Sequence, residues 1–73
     1  MPVQPIILRK FIMNFLSGIN ESHGQIHVNF KTDHYEIDIN DCEIKTKDMK
    51  ELEDTLKIEF EIDAIVTSTS TEE

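Results

Sequence analysis

The chain is expected to fold as a single small α+β domain in the order α-β-β-α-β, with a three-stranded, mainly antiparallel sheet and two helices packed on one face. Three observations predict this. Residues 5–17 carry an apolar stripe at helical spacing, residues 25–31 and 35–40 alternate with period 2, and a second helical stripe precedes a renewed alternation. At 73 residues the chain is one domain, and a fold of this size buries only about 60% of the surface its unfolded form exposes.

Pro5 suits the first turn of a helix, where its missing N–H would have no partner anyway. Leu8, Phe11, Ile12, Phe15, Leu16 and Ile19 then follow the i, i+3, i+4 rule. Gly18 is the expected left-handed stop, with Ile19 folding back on the last turn. Ile6, Ile7 and Leu8 also suit a short buried strand over residues 3–8, so that reading stands beside the helix.

The apolar residues of the next two runs are Ile26, Val28 and Phe30, then Tyr35, Ile37 and Ile39. A connection with an even number of residues around Thr32-Asp33 pairs Phe30 with Tyr35, Val28 with Ile37 and Ile26 with Ile39. An odd one would set every apolar residue against a polar one. The even register also sets His27 opposite Asp38, a plain cross-strand pair expected to raise the histidine's pKa. Whether the connection has two residues or four is open, because Thr-Asp is not a strong turn pair. Alternation breaks at Asn40-Asp41, as at a bulge or strand end, and resumes on the other parity at Cys42 and Ile44.

Thr46 or Asp48 is placed to cap the second helix, and Asp48 with Glu51 has capping-box spacing. Met49, Leu52 and Leu56 form its buried stripe, while Lys47–Glu51, Lys50–Asp54 and Glu53–Lys57 are opposite-charge i, i+4 pairs. Ile58, Phe60, Ile62, Ala64 and Val66 alternate with Glu59, Glu61 and Asp63, which predicts a third strand. Strand order 1-2-3 or 2-1-3 is open. The domain is expected over residues 1–66. Residues 67–73, small hydroxyl residues ending in two acids, read as a disordered acidic tail.

Fifteen acidic against seven basic residues give a formal charge of -8, the wrong sign for direct nucleic-acid binding or an anionic membrane surface. No apolar run approaches the roughly 20 residues a membrane span needs. Arg9 and Lys10 interrupt the apolar N-terminal stretch where a signal peptide would be continuous. A single cysteine excludes an internal disulfide. The expected setting is cytoplasmic, and Asn20-Glu21-Ser22 reads as a chance glycosylation triplet.

His23, His27, His34 and Cys42 are soft-metal ligand types, but only His23 and His27 are close in sequence, and they flank Gly24 at a strand entrance. No metal, cofactor or catalytic constellation is assigned, so the expectation is a protein that is not an enzyme. The charge is uneven. Residues 1–34 hold three basic against two acidic residues, a net of +1, while residues 35–73 hold four lysines against thirteen acids, a net of -9. A third strand beside the hairpin would gather Glu36, Asp38, Glu59, Glu61 and Asp63 on one polar face. Ile6 and Met13 form a second anomaly, apolar residues on the otherwise polar side of the first helix.

These features lead to the expectation of a small acidic protein-binding module, an inhibitor or adaptor whose acidic face docks on a basic surface of a partner protein. Its size, acidity and plain α+β layout are similar to those of phage and mobile-element inhibitors, immunity proteins and antitoxins, a likeness of composition that carries over no residues. The alternative is a structural or assembly protein acting through homo-oligomerisation, as a homodimer with Ile6 and Met13 in the contact.

Overall fold

The computed structural model describes residues 3–69. The elements run α1 (Pro5–Gly18), β1 (Ile26–Phe30), β2 (Tyr35–Ile39), α2 (Thr46–Phe60) and β3 (Ala64–Ser68), the expected order.

Helix α1 starts at Pro5 with Gln4 before it in extended conformation, so residues 5–8 are helical and do not add a strand. Leu8, Ile12 and Leu16 are fully buried, one residue per turn along one side. Gly18 is not the left-handed stop. It is the last helical residue, and Asn20 takes the positive φ of 62° instead. Asn20 N–H donates to Ser17 O at 3.1 Å and Glu21 N–H to Leu16 O at 2.9 Å, the paired bonds of a Schellman motif. Asparagine tolerates the left-handed region better than most side chains, so the helix runs to Gly18 and closes on Asn20.

The hairpin has the even register: Ile26↔Ile39, His27↔Asp38, Val28↔Ile37, Asn29↔Glu36 and Phe30↔Tyr35, antiparallel. Residues 31–34 connect the strands, with Lys31 N–H donating to His34 O at 2.7 Å. At the other end Asn40 donates to Gln25 O at 2.9 Å and accepts from Gly24 N–H at 2.7 Å. Gly24 and Gln25 both face Asn40 there, and β2 ends at Ile39, so the broken alternation at Asn40-Asp41 marks the strand end. A Cβ on Gly24 would meet Asp41 Oδ2 at 2.8 Å and Asn40 O at 3.3 Å, so any side chain there would have to displace the Asp41 carboxylate and crowd the Asn40 carbonyl. Asp41 adopts φ 53°, and the turn it makes carries Cys42 and Ile44 into the core although neither lies in a strand.

Helix α2 has Lys45 at its N-cap and no side-chain cap, so the expected Thr46 or Asp48 cap and the Asp48–Glu51 box do not form. Asp48 stays in the first turn, where a carboxylate favours the positive end of the helix dipole. The larger difference is at the other end. Residues 58–60, expected in a strand, continue the helix. Met49, Leu52, Leu56 and Phe60 are spaced 3, 4 and 4 apart, and Phe60 meets Phe11 of α1 edge-to-face at 5.2 Å and 87°. That contact between helices outweighs the local alternation and leaves Ile58 76% exposed on the opposite side. Glu61, at φ 58° and ψ 40°, ends the helix with its N–H on Lys57 O.

Strand β3 therefore begins only at Ala64 and joins β2 in parallel: Tyr35↔Ala64, Ile37↔Val66, Ile39↔Ser68. The sheet is mixed, in order β1-β2-β3. Parallel pairing follows from the intervening helix, which returns the chain to the end of the sheet where β2 starts. Thr67 and Ser68, assigned by composition to the tail, belong to this strand, and Thr69 N–H donates to Ile39 O at 3.0 Å. The rest of the expected tail, 70–73, lies outside the described residues. One buried cluster joins Leu8, Ile12 and Leu16 of α1, Leu52 and Leu56 of α2 and the apolar residues of the three strands. Among the described residues no helix is long and apolar enough to cross a membrane.

Candidate functional site

The later start of β3 divides the expected acidic platform. Glu36 and Asp38 stay on the polar side of β2, with Ile65 and Thr67 as their β3 partners. Glu59 lies on α2, Glu61 is the residue that ends it, and Asp63 precedes β3. The five carboxylates are not on one face of the sheet. Asp38 accepts from the Thr67 hydroxyl at 3.3 Å. The His27 ring, although its Cα is paired with Asp38, lies 3.3 Å from Asn40 Nδ2, so the expected His27–Asp38 side-chain pair gives way to a contact with the asparagine.

A different acidic cluster forms where the hairpin tip meets the start of β3. The imidazole of His34 sits between two carboxylates, with Nδ1 at 2.8 Å from Asp33 Oδ1 and Nε2 at 3.4 Å from Glu36 Oε2. The hydrogen bond to Asp33, then that to Glu36, holds the His34 pKa above its ordinary value. In return the His34 hydrogen bond draws Asp33 below its ordinary value. Lys31 reaches Glu36 at 3.9 Å. Tyr35 N–H donates to Asp63 O at 2.8 Å, which locks the tip to the segment before β3, and Lys57 Nζ meets the Asp63 carboxylate at 3.0 Å. The Tyr35 hydroxyl accepts from Val3 N–H at 3.0 Å and donates to Val3 O at 3.2 Å, tying the chain before α1 to the same end.

An open cleft of about 430 Å³ at this end is lined by Phe30, Asp33, His34, Tyr35, Glu61, Ile62 and Asp63. The Phe30 and Tyr35 rings lie 4.9 Å apart at 53°, and Phe30 remains 58% exposed. The cleft thus combines the apolar Phe30, Tyr35 and Ile62 with the carboxylates of Asp33, Glu61 and Asp63 and the His34 imidazole, and Lys57 neutralises Asp63 at its border. Of the residues expected on the acidic face, Glu61 and Asp63 line it directly, and Glu36 borders it through His34. The sequence signal of the tip is Asp33-His34-Tyr35-Glu36, a histidine flanked by acids at i−1 and i+2, a pattern distinct from metal-ligand spacing.

The soft-ligand residues are scattered. His23 Nδ1 bonds its neighbour's carbonyl, Gly24 O, at 2.7 Å. His27 meets Asn40, and His34 meets its two carboxylates. Cys42 is buried, and burial, with Glu21 nearby, pushes its thiol pKa up, the opposite of what a nucleophile or metal ligand needs. Among the described residues no group of three or more such side chains could hold a metal ion. On α1, Ile6 is 51% and Met13 48% exposed, and Ile7 is open to solvent beside them. Comparison of the chain with protein-family models, curated proteins and solved structures finds no match.

Proposed function

We propose that this chain is a non-enzymatic protein-binding module that docks an acidic surface on a basic patch of a partner protein, in the manner of a small intracellular inhibitor or adaptor. The observation that carries the reading is the cleft at the hairpin tip, which Asp33, Glu61 and Asp63 line together with the exposed Phe30. An apolar anchor within a charged rim is how protein interfaces combine binding energy with steering. In this reading both helices cover the apolar face of the sheet, and the face bearing Glu36 and Asp38 extends the docking surface. Neither nucleic acid nor a membrane is a partner.

The test is retention of partner proteins on immobilised wild-type protein at low and high salt, beside an Asp33→Lys, Glu61→Lys double variant. A partner that is released by salt and not retained by the variant supports the reading. Retention that ignores both salt and charge reversal overturns it.

The second reading is self-association, favoured by the half-exposed Ile6 and Met13 on α1. A domain this small gains stability by burying such residues against a second copy. Replacing both with lysine is expected to reduce any oligomer seen in sedimentation equilibrium, and an unchanged oligomer would remove α1 from the contact.

A further inference from the structure

Strand β1 lies at the edge of the sheet. Lys31 N–H donates to His34 O across the hairpin, and Asn40 N–H donates to Gln25 O. The odd-numbered residues of this strand therefore turn their backbone groups towards β2, and Ile26, Val28 and Phe30 turn theirs outward. No described strand lies on that side. The geometry points to a second copy of this chain as the occupant, pairing β1 with β1 antiparallel about a two-fold axis at Val28 and joining two three-stranded sheets into one.

The strand is self-complementary in that register. Val28 meets Val28, Ile26 meets Phe30 and His27 meets Asn29. Each outward residue exchanges a reciprocal pair of backbone hydrogen bonds, and all three apolar side chains fall on one face. β1 contains no charged residue, so two copies of a strongly acidic protein meet here without like charges at cross-strand distance. Beside the first half of the strand, Arg9 and Met13 line a cleft of about 450 Å³ with residues 23–27. The two-fold sets this end against the hairpin tip of the second copy, where the Asp33 side chain is 85% exposed and Lys31 is turned to Glu36. In this arrangement the basic Arg9 end of one copy and the acidic hairpin tip of the other lie at the same end of the joined strands, twice by symmetry. The cleft also connects the strand edge to Met13, so the apolar surface left over on α1 continues the same interface.

The proposal deepens the self-association reading, and its test separates the two. Sedimentation equilibrium at micromolar concentration is expected to show a species near 17 kDa, twice the 8.5 kDa chain. Amide exchange is expected to show protection at Ile26, Val28 and Phe30 that grows with protein concentration, while His27 and Asn29 stay protected throughout. Val28→Pro removes an N–H that the β1–β2 ladder does not use, so the monomer keeps its fold and the dimer is lost. If that variant fails to fold by circular dichroism, Phe30→Lys, at a side chain already exposed, is expected to weaken the dimer about tenfold or more. A dimer whose outward amides exchange freely overturns the edge pairing but leaves self-association standing. A single 8.5 kDa species overturns both.

Discussion

At the β3 edge of the sheet Val66 donates its N–H to the Glu53 carboxylate at 2.8 Å, whereas the outward groups of β1 face no described strand. Thr69 N–H points to Ile39 O, so alternation turns Val66 N–H away from β2, and the glutamate occupies the position a further strand would take. Both edges are five residues long. The difference comes from the helix that precedes each one. α2 brings a carboxylate over β3, while α1 offers Arg9 and Met13 beside β1. An acid on an edge N–H satisfies the donor and repels an incoming strand by its charge. An uncharged edge is a template for pairing. Among the described residues, the carboxylate bonded to an outward strand N–H is Glu53, on β3.

The largest effect is expected where both edges depend on the same residue. Ile37 is fully buried in the central strand and pairs with Val28 on one side and Val66 on the other. Ile37→Ala is expected to cost about 2–5 kcal/mol by urea denaturation, and amides of β1 and β3 should lose exchange protection together. Loss confined to one strand would show that the edges are separate folding units and break the comparison. Glu53→Ala comes next. It leaves Val66 N–H unpaired at a partly buried site, with an expected loss of about 1–2 kcal/mol. Exchange should accelerate at Val66 and not in β1, and Glu53→Gln, which retains an acceptor, should recover part of the loss. A variant as stable as wild type would mean that the glutamate does not close the edge.

The two edges also differ in how far the residues alone reveal them. The β1–β2 register was legible because both strands put apolar side chains on one parity, so a slip of one residue would have paired every apolar residue with a polar one. The boundary between α2 and β3 was not legible. Residues 58–62 satisfy period 2, while Met49, Leu52, Leu56 and Phe60 satisfy a helical stripe, and the choice was made by Phe11, far away in the chain. The acidic platform depended on that boundary. Once Glu59 became helical it left the sheet, and the carboxylates that gather at the tip do so because Tyr35 N–H bonds Asp63 O. Ile6 and Met13 were legible as surplus apolar residues because α1 obeys its own period from Pro5 onward. The bond from Val66 to Glu53 has no sequence signature, since any of the acids on α2 could have faced β3.

A smaller effect is expected at the entry to β3. Glu61 holds φ 58°, a region where a side chain adds strain and glycine does not. Glu61→Gly relieves that strain but loosens the unfolded chain, and the expected result is a gain of about 0.5–1 kcal/mol. The register of β3 should not move, because Ala64–Ser68 is fixed by β2. A loss of stability would show that the Glu61 side chain itself holds the turn.

The smallest effect separates the edges by pH. The hydrogen bond His34 donates to Asp33, followed by the one it donates to Glu36, raises the His34 pKa above 6.5, so the folded state favours the charged ring. The contribution of His34 to stability is therefore fully present below pH 6.5 and is lost as pH rises through the higher folded value. Asp33 has the opposite sign. Its folded pKa lies below 3.8, drawn down first by the His34 hydrogen bond, so its contribution is present above pH 3.8 and fades as pH falls through the lower folded value. Both contributions are full only between these limits. Proton NMR titration is expected to place the His34 midpoint above 6.5, with Asp33→Asn lowering it more than Glu36→Gln does. As pH rises from 6 to 8, exchange of the Lys31 amide, which is bonded to His34 O, should accelerate beyond its intrinsic pH dependence. The Val66 amide, bonded to a carboxylate with no histidine in the contact, should follow the intrinsic dependence alone. A His34 midpoint at or below 6.5, or an equal excess at Val66, would show that the tip carries no charge switch of its own.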